Sequence, residues 1–95
     1  MYIIHEENHS CLCVAENLGK GIMWLIDNDW LDGSRELFNY ETCEDCQVKD
    51  LIKGAEEDPY LILTHLIDLT AKEGTEAVIE WLENVGFGFH EIEVA

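Results

Sequence analysis

Basic residues are scarce in this 95-residue chain. Lysine and arginine together number five, against 21 aspartates and glutamates, and the formal net charge is −16. Proteins that bind nucleic acid or an anionic membrane do so through positive patches. The charge therefore argues against direct binding to either, and it permits the opposite, a protein partner with a basic surface.

Long apolar runs are also missing. No stretch approaches the roughly 20 consecutive apolar residues that a membrane-spanning helix requires. The first residues lack the basic segment followed by an apolar segment that marks a signal peptide. We therefore expect a cytoplasmic protein, whose cysteines would be reduced thiols or metal ligands rather than disulfides.

Catalytic signatures are absent as well. The sequence contains no zinc-protease, P-loop, nucleophile-elbow or dinucleotide-binding motif, and no activated nucleophile can be identified. We therefore expect a protein that is not an enzyme. The hydrophobic content of 47% is high enough for a folded core, and the length predicts a single domain over residues 1–95.

The N-terminal half begins with two segments rich in strand formers. Tyr2–Glu6 and Cys11–Ala15 flank a short polar turn and predict an antiparallel hairpin. Asn17 is a suitable N-cap for a helix that follows. Gly19 and Gly21 weaken the first turns of that helix, and they indicate either a close backbone approach or a loose helix start.

The middle of the chain is harder to assign. Residues 36–41 are consistent with a third strand, and a short helix is the alternative, because the periodicity does not decide between them. Residues 42–46 are predicted to form a loop or a tight turn. A short helix is expected to follow and to end at Gly54.

Two helices are predicted next. Asp58 as N-cap and Pro59 at the first helical position indicate a helix that runs to about Lys72. Thr75 is the expected N-cap of a second helix, and Gly86 is its expected stop.

The chain ends in a predicted strand over residues 87–94. Its apolar side switches midway, which indicates either a bulge near His90 and Glu91 or partial cover on both faces. The expected fold is α+β. A small antiparallel sheet would combine the N-terminal hairpin with the last strand, paired to the first, and three to four helices would cover one face.

Four cysteines form the sharpest chemical pattern. Cys11 and Cys13 are one residue apart, and Cys43 and Cys46 have the spacing of a usual zinc half-site. Together they match the ligand number of a tetrahedral zinc site, and His9 could replace one thiol. The alternative is that Cys11 and Cys13 are small, buried apolar residues and that Cys43 and Cys46 lie in a loop.

A thioredoxin-like redox role for the second pair is disfavoured. Glu44 and Asp45 lie between the two thiols and would raise the pKa of each. A reactive thiolate requires the opposite shift.

Carboxylates form the remaining pattern. Glu76, Glu80 and Glu83 lie on the polar side of the last predicted helix, about 5–6 Å apart along its axis. Phosphates of one DNA strand place a charge about every 3.4 Å of axis. The candidate partner-binding residues are Glu76, Glu80, Glu83, Glu91, Glu93, Asp27, Asp29 and Asp32.

These rows suggest a DNA mimic that occupies a basic nucleic-acid-binding groove. Phage inhibitors of restriction and CRISPR nucleases use this strategy, and the analogy rests on size and charge alone. Trp24 or Trp30, if exposed, could anchor such an interface, although core packing is their usual role. The alternatives are a small zinc-stabilised domain and an acidic domain whose charge serves only solubility, as in a salt-loving host.

Overall fold

A computed structural model describes residues 1–7, 9–39 and 42–92 of the chain. It confirms the predicted α+β class. The elements in chain order are β1 (Tyr2–Glu6), β2 (His9–Ala15), α1 (Leu18–Asp27), β3 (Glu36–Asn39), β4 (Glu44–Gln47), α2 (Val48–Leu51), α3 (Tyr60–Glu73), α4 (Thr75–Asn84) and β5 (Phe87–Glu91). None of the helices within the described ranges is long and apolar enough to cross a membrane.

The three-stranded sheet has the order β2-β1-β5 and is antiparallel throughout. The last strand pairs with the first, as predicted. The pairing is regular from Tyr2 opposite Glu91 to Glu6 opposite Phe87, so the bulge considered near His90 is absent from this ladder. The irregularity lies instead between β1 and β2.

The switch of apolar side in β5 has a different cause. Phe87 and Phe89 are buried under the helices, whereas His90 and Glu91 are exposed. The strand thus leaves the covered part of the sheet before it ends. The predicted continuation to Val94 lies outside the described residues.

Helix α1 packs across the inner face of the sheet. The Asn17 side chain accepts a hydrogen bond from the Lys20 backbone N–H at 2.8 Å, which confirms the predicted cap. A Cβ on Gly21 would lie 2.6 Å from Cδ1 of Ile4 and 2.8 Å from Cε2 of Phe89. Gly21 therefore permits the close approach of helix and sheet, which was one of the two expected explanations.

Helices α3 and α4 are joined at Gly74. Thr75, the predicted cap, is instead the first residue of α4, and the cap position is Gly74 with φ of 91°. A corner this tight requires a left-handed residue, which glycine adopts without steric cost. Val85 caps the other end, and Gly86 with φ of 94° follows as the predicted stop. The core that both helices share with the sheet includes the fully buried Ile4, Leu25, Ile62, Leu66, Val78, Leu82 and Phe87.

The cap of α3 is displaced by one residue from the prediction. Pro59 occupies the cap position, and Asp58 accepts a hydrogen bond from the Tyr60 backbone N–H at 3.1 Å. Asp58 therefore satisfies a first-turn donor from just outside the helix.

Within the described residues, β3 and β4 form a second, two-stranded sheet. The strand predicted from residue 36 is confirmed up to Asn39, and its predicted end at residues 40–41 lies outside the described residues. The predicted loop at 42–46 is wrong for its second half, because Glu44–Gln47 pairs with β3. Acidic residues are depleted in strands, so this composition conceals an edge strand.

Candidate protein-binding surface

One face of α4 carries the predicted row of carboxylates. Glu76, Glu80 and Glu83 are all exposed, while Val78 and Leu82 on the opposite face are fully buried. The buried side chains hold the helix against the core, and the carboxylates are therefore presented from a fixed backbone. Successive members of the row are about 6 and about 4.5 Å apart along the helix axis.

A groove of about 790 Å³ runs between α3 and α4 beside this row. Its apolar and aromatic lining comes from His65, Leu69, Ala77 and Trp81. The rings of His65 and Trp81 are 6.5 Å apart between centroids and inclined at 49°. Three carboxylates also line the groove, namely those of Glu73, Glu80 and Glu83.

A second groove, of about 570 Å³, lies at the C-terminal end of α4. Its lining includes the carboxylates of Glu6, Glu7, Asp29, Asp32 and Glu36. Asn84 lines both this groove and the groove between α3 and α4. A smaller depression on the adjoining surface is lined by both Glu7 and Glu83.

The two large grooves are therefore neighbours around the end of α4. We define the acidic surface as the exposed and half-exposed carboxylates that line these grooves, together with Glu76 of the same row on α4; they are Glu7, Asp29, Asp32, Glu36, Glu73, Glu76, Glu80 and Glu83. Of the eight residues predicted to bind a partner, the fold brings five into it.

The other three predicted residues lie elsewhere. Asp27 accepts a hydrogen bond from the Tyr60 hydroxyl, which joins the end of α1 to the start of α3. Glu91 lines a separate groove together with Glu16. Glu93 lies outside the described residues.

The hydrogen bond to Asp27 changes the acidity of Tyr60. It raises the pKa of the phenol, with smaller contributions from burial and from the charges of Asp27 and Asp58. The carboxylate of Asp27 thus serves a contact between helices rather than the acidic surface.

Asp29 is positioned by the turn that ends α1. Its backbone is left-handed, with φ of 61°. Its N–H donates to the Ile26 carbonyl at 3.2 Å, and the Trp30 N–H donates to the Leu25 carbonyl at 2.9 Å. This is the Schellman arrangement, in which glycine usually occupies the left-handed position.

Several of these acids lie at positions where their charge lowers the stability of the fold. Asp29 and Glu83 lie at the C-terminal ends of α1 and α4, and neither helix has a basic residue in its last turn. The negative end of a helix dipole disfavours an anion by about 0.3–1 kcal/mol. Glu76 and Glu80 are like charges four residues apart, which also destabilises a helix, whereas the first-turn position of Glu76 is favoured by the helix dipole.

The basic residues form three side-chain ion pairs within the part of the chain that the structure describes. Lys20 pairs with Glu16, Arg35 with Glu6 and Lys49 with Glu56. These three pairs involve no carboxylate of the acidic surface. Arg35 also lines the groove at the C-terminal end of α4, so that groove combines one cation with its five carboxylates.

The cysteines are not assembled into the predicted site. Cys11 and Cys13 lie on β2, and Cys43 and Cys46 lie in the β3–β4 hairpin. Within the described ranges, no three His, Cys, Asp or Glu side chains are grouped closely enough to hold a metal ion. The two predicted half-sites belong to different hairpins, β1–β2 and β3–β4. The side chain of His9 is outside the part of the chain that the structure describes.

The acidity of two thiols also disfavours redox chemistry. Burial, with a smaller contribution from Cys11, raises the pKa of Cys13. Burial and the charges of Asp50 and Asp45 raise the pKa of Cys46. At Cys46 the direction is the one predicted from sequence, and the raised pKa lowers the thiolate fraction at neutral pH.

Trp81 is a surface residue that the sequence argument did not select. Its position at the edge of the apolar face of α4, next to Glu80, was the available signal. It is half-buried and lines the α3–α4 groove. Trp24 and Trp30, the anchors considered from sequence, are likewise partly buried against the core, and Trp30 also lines the groove at the C-terminal end of α4.

Comparison with known proteins provides no family assignment. No protein-family model matches the chain, and no curated protein or solved structure matches it.

Proposed function

We propose that this chain is a non-enzymatic, cytoplasmic interaction module that inhibits or regulates a protein partner by covering its basic nucleic-acid-binding surface. The acidic surface is the contact region. The observation that carries the proposal is the position of Asp29 and Asp32 beside the C-terminal end of α4, the helix whose exposed face carries the row of glutamates.

The stability costs favour binding over solubility as the reason for this charge. Carboxylates that serve only solubility can occupy any exposed position. Acids at the negative ends of helices and at like-charge spacing weaken the fold. Residues that break local stability rules are expected at functional sites.

The mode of action is that of a DNA mimic. Exposed carboxylates on a backbone held by the core would occupy the sites at which the partner's lysines and arginines bind phosphate. A nuclease of the restriction or CRISPR type is the partner class that best fits this chemistry. Association would be fast at low salt and strongly screened at high salt.

The proposal is tested by capture with a matched pair of variants. Tagged protein would be incubated with host-type lysate at about 50 mM salt and eluted in steps to about 500 mM, a range over which screening grows strongly. One variant carries E76Q, E80Q and E83Q. The control carries E44Q, D45N and E57Q, which change net charge equally at exposed residues outside the acidic surface.

We expect a basic nucleic-acid-binding protein that elutes with salt. The α4 variant should bind it about tenfold more weakly, since exposed charge pairs contribute roughly 0.2–1 kcal/mol each, and the control should be nearly unchanged. The captured partner should also lose binding to a DNA duplex as the protein is added. Equal weakening by both variants, or undiminished DNA binding, would contradict the proposal.

A purely solvating role predicts a different pattern. The folded wild type would then capture no basic partner at any salt concentration. Its stability would instead rise strongly in molar salt, as self-repulsion is screened.

A further inference from the structure

We infer that the groove between α3 and α4 receives an arginine side chain of the partner, stacked on the indole of Trp81 and paired with the carboxylates of Glu80 and Glu83. The inference rests on the proposed function and deepens it, because it names the central contact and the side chain that makes it.

The lining of the groove combines two properties. Leu69, Ala77 and the ring of Trp81 provide an apolar and aromatic wall, and Glu73, Glu80 and Glu83 provide negative charge. A neutral apolar ligand would leave those carboxylates facing it without compensation. A small hydrated cation would make no use of the aromatic wall.

A guanidinium group satisfies both properties. It is planar and weakly hydrated, it stacks on aromatic faces, and it donates two parallel hydrogen bonds to a carboxylate. Trp is the aromatic residue with the strongest cation–π attraction. The volume of about 790 Å³ leaves room for the aliphatic stem and for part of the adjoining backbone.

An inorganic divalent ion is a poorer occupant. Within the part of the chain that the structure describes, no three His, Cys, Asp or Glu side chains lie close enough to bind one metal ion. The acids around this groove therefore do not form a site for an inorganic ion.

The α4 row offers an internal control. Glu80 and Glu83 line the groove, whereas Glu76, on the same helix and equally exposed, does not. E80Q and E83Q remove charge at the groove, and E76Q removes the same charge one turn away. Trp81→Leu removes the aromatic face, and Trp81→Phe retains part of it.

The test is an NMR titration of the full chain with three capped peptides that alternate alanine with arginine, lysine or citrulline. Citrulline keeps the shape of arginine without its charge. We expect the arginine peptide to bind several-fold more tightly than the lysine peptide and to shift the Trp81 indole N–H and the amide of Ala77. The citrulline peptide should not bind.

The variants extend the test. Trp81→Leu should weaken arginine binding about five- to thirtyfold, with Trp81→Phe in between. E80Q or E83Q should weaken binding more than E76Q. If Trp81→Leu fails to fold, the wild-type shift map and the three glutamate variants still decide the question.

Two outcomes would contradict the inference, and they differ in what they say of the proposed function. Equal binding of arginine and lysine peptides, with shifts spread over Asp29, Asp32 and Glu76, would remove the groove contact and leave the basic partner in place. Binding of neither cationic peptide at low salt would count against both the groove and the proposed function.

Discussion

The guanidinium of Arg35 lies over the ring of Phe87, 4.4 Å from its centroid. The same group donates to the Val85 carbonyl at 2.7 Å and to the Glu6 carboxylate at 3.1 Å. The side chain of Glu6 is only 7% exposed and that of Arg35 is 23% exposed. One arginine therefore ties the chain before β3 to β1, to the end of α4 and to β5.

Replacing this arginine should destabilise the fold markedly. We expect Arg35→Met to lower the free energy of unfolding by about 2–4 kcal/mol, because it leaves the Glu6 carboxylate poorly hydrated beside an apolar group. Arg35→Lys should cost less, since one cationic donor remains. Urea denaturation would measure both, with the exposed Lys53→Met as control. The double variant Arg35→Met with Glu6→Met should recover part of the loss, and a single-variant cost below about 0.5 kcal/mol would exclude a stabilising role for the pair.

Two glycines of α1 should respond in opposite directions to the same change. Gly19→Ala should raise the free energy of unfolding by about 0.5–1 kcal/mol through helix propensity, because the new Cβ meets only the Asn17 side chain at 3.6 Å. Gly21→Ala should lower it by about 1–2 kcal/mol, because the Cβ would overlap the buried Ile4 and Phe89. Chemical denaturation of both variants would test this contrast. A stabilising Gly21→Ala would show that the helix can move away from the sheet.

We expect Asp29 to lower the stability of the fold and to strengthen binding of the partner. Asp29→Gly relieves the left-handed backbone and removes an anion from the end of α1, and we expect a gain of about 1 kcal/mol. Asp29→Asn should give a smaller gain, and Asp29→Ala should destabilise. Thermal unfolding would rank the four proteins. Both the Gly and the Asn variant should bind the partner more weakly, and unchanged binding would remove Asp29 from the acidic surface.

The bond between Tyr60 and Asp27 should appear in the pH dependence of stability. The folded pKa of Tyr60 is raised, so its contribution is fully present below the unfolded pKa of about 10 and is lost as pH rises through the folded pKa. The stability difference between wild type and Tyr60→Phe should therefore be flat from pH 7 to about 9 and should fall at higher pH. The thiols of Cys13 and Cys46 also have raised pKa values. Their contribution to the pH dependence of stability is the same in both proteins and cancels in the difference. A difference that stays constant to pH 11 would argue against the hydrogen bond.

Chelation tests the cysteine arrangement. Since the two cysteine pairs lie on different sheets, we expect EDTA to leave the thermal midpoint of the purified protein unchanged. The quadruple Cys→Ser variant should be equally insensitive to EDTA. A midpoint that falls with EDTA and returns with equimolar zinc would restore the zinc-stabilised alternative.

Much of the architecture follows from local patterns. The cap at Asn17, the stop at Gly86 and the strand character of Tyr2–Glu6 depend on residues close together in the chain, and they were predicted. The pairing of the last strand with the first was also predicted, from the order of the elements along the chain. The errors fell where two local signals compete, as at Thr75, or where composition conceals a strand, as at Glu44–Gln47.

The sequence by itself determined the charge, the fold class and the exposed row on α4, because composition and helical periodicity are properties of the chain alone. Tertiary structure decided the rest. It placed Asp29 and Asp32 beside the end of α4, made Trp81 part of the lining of a groove and put the two cysteine pairs in different hairpins. Each of these outcomes depends on contacts between residues distant in sequence, and spacing along the chain carries no information about such contacts.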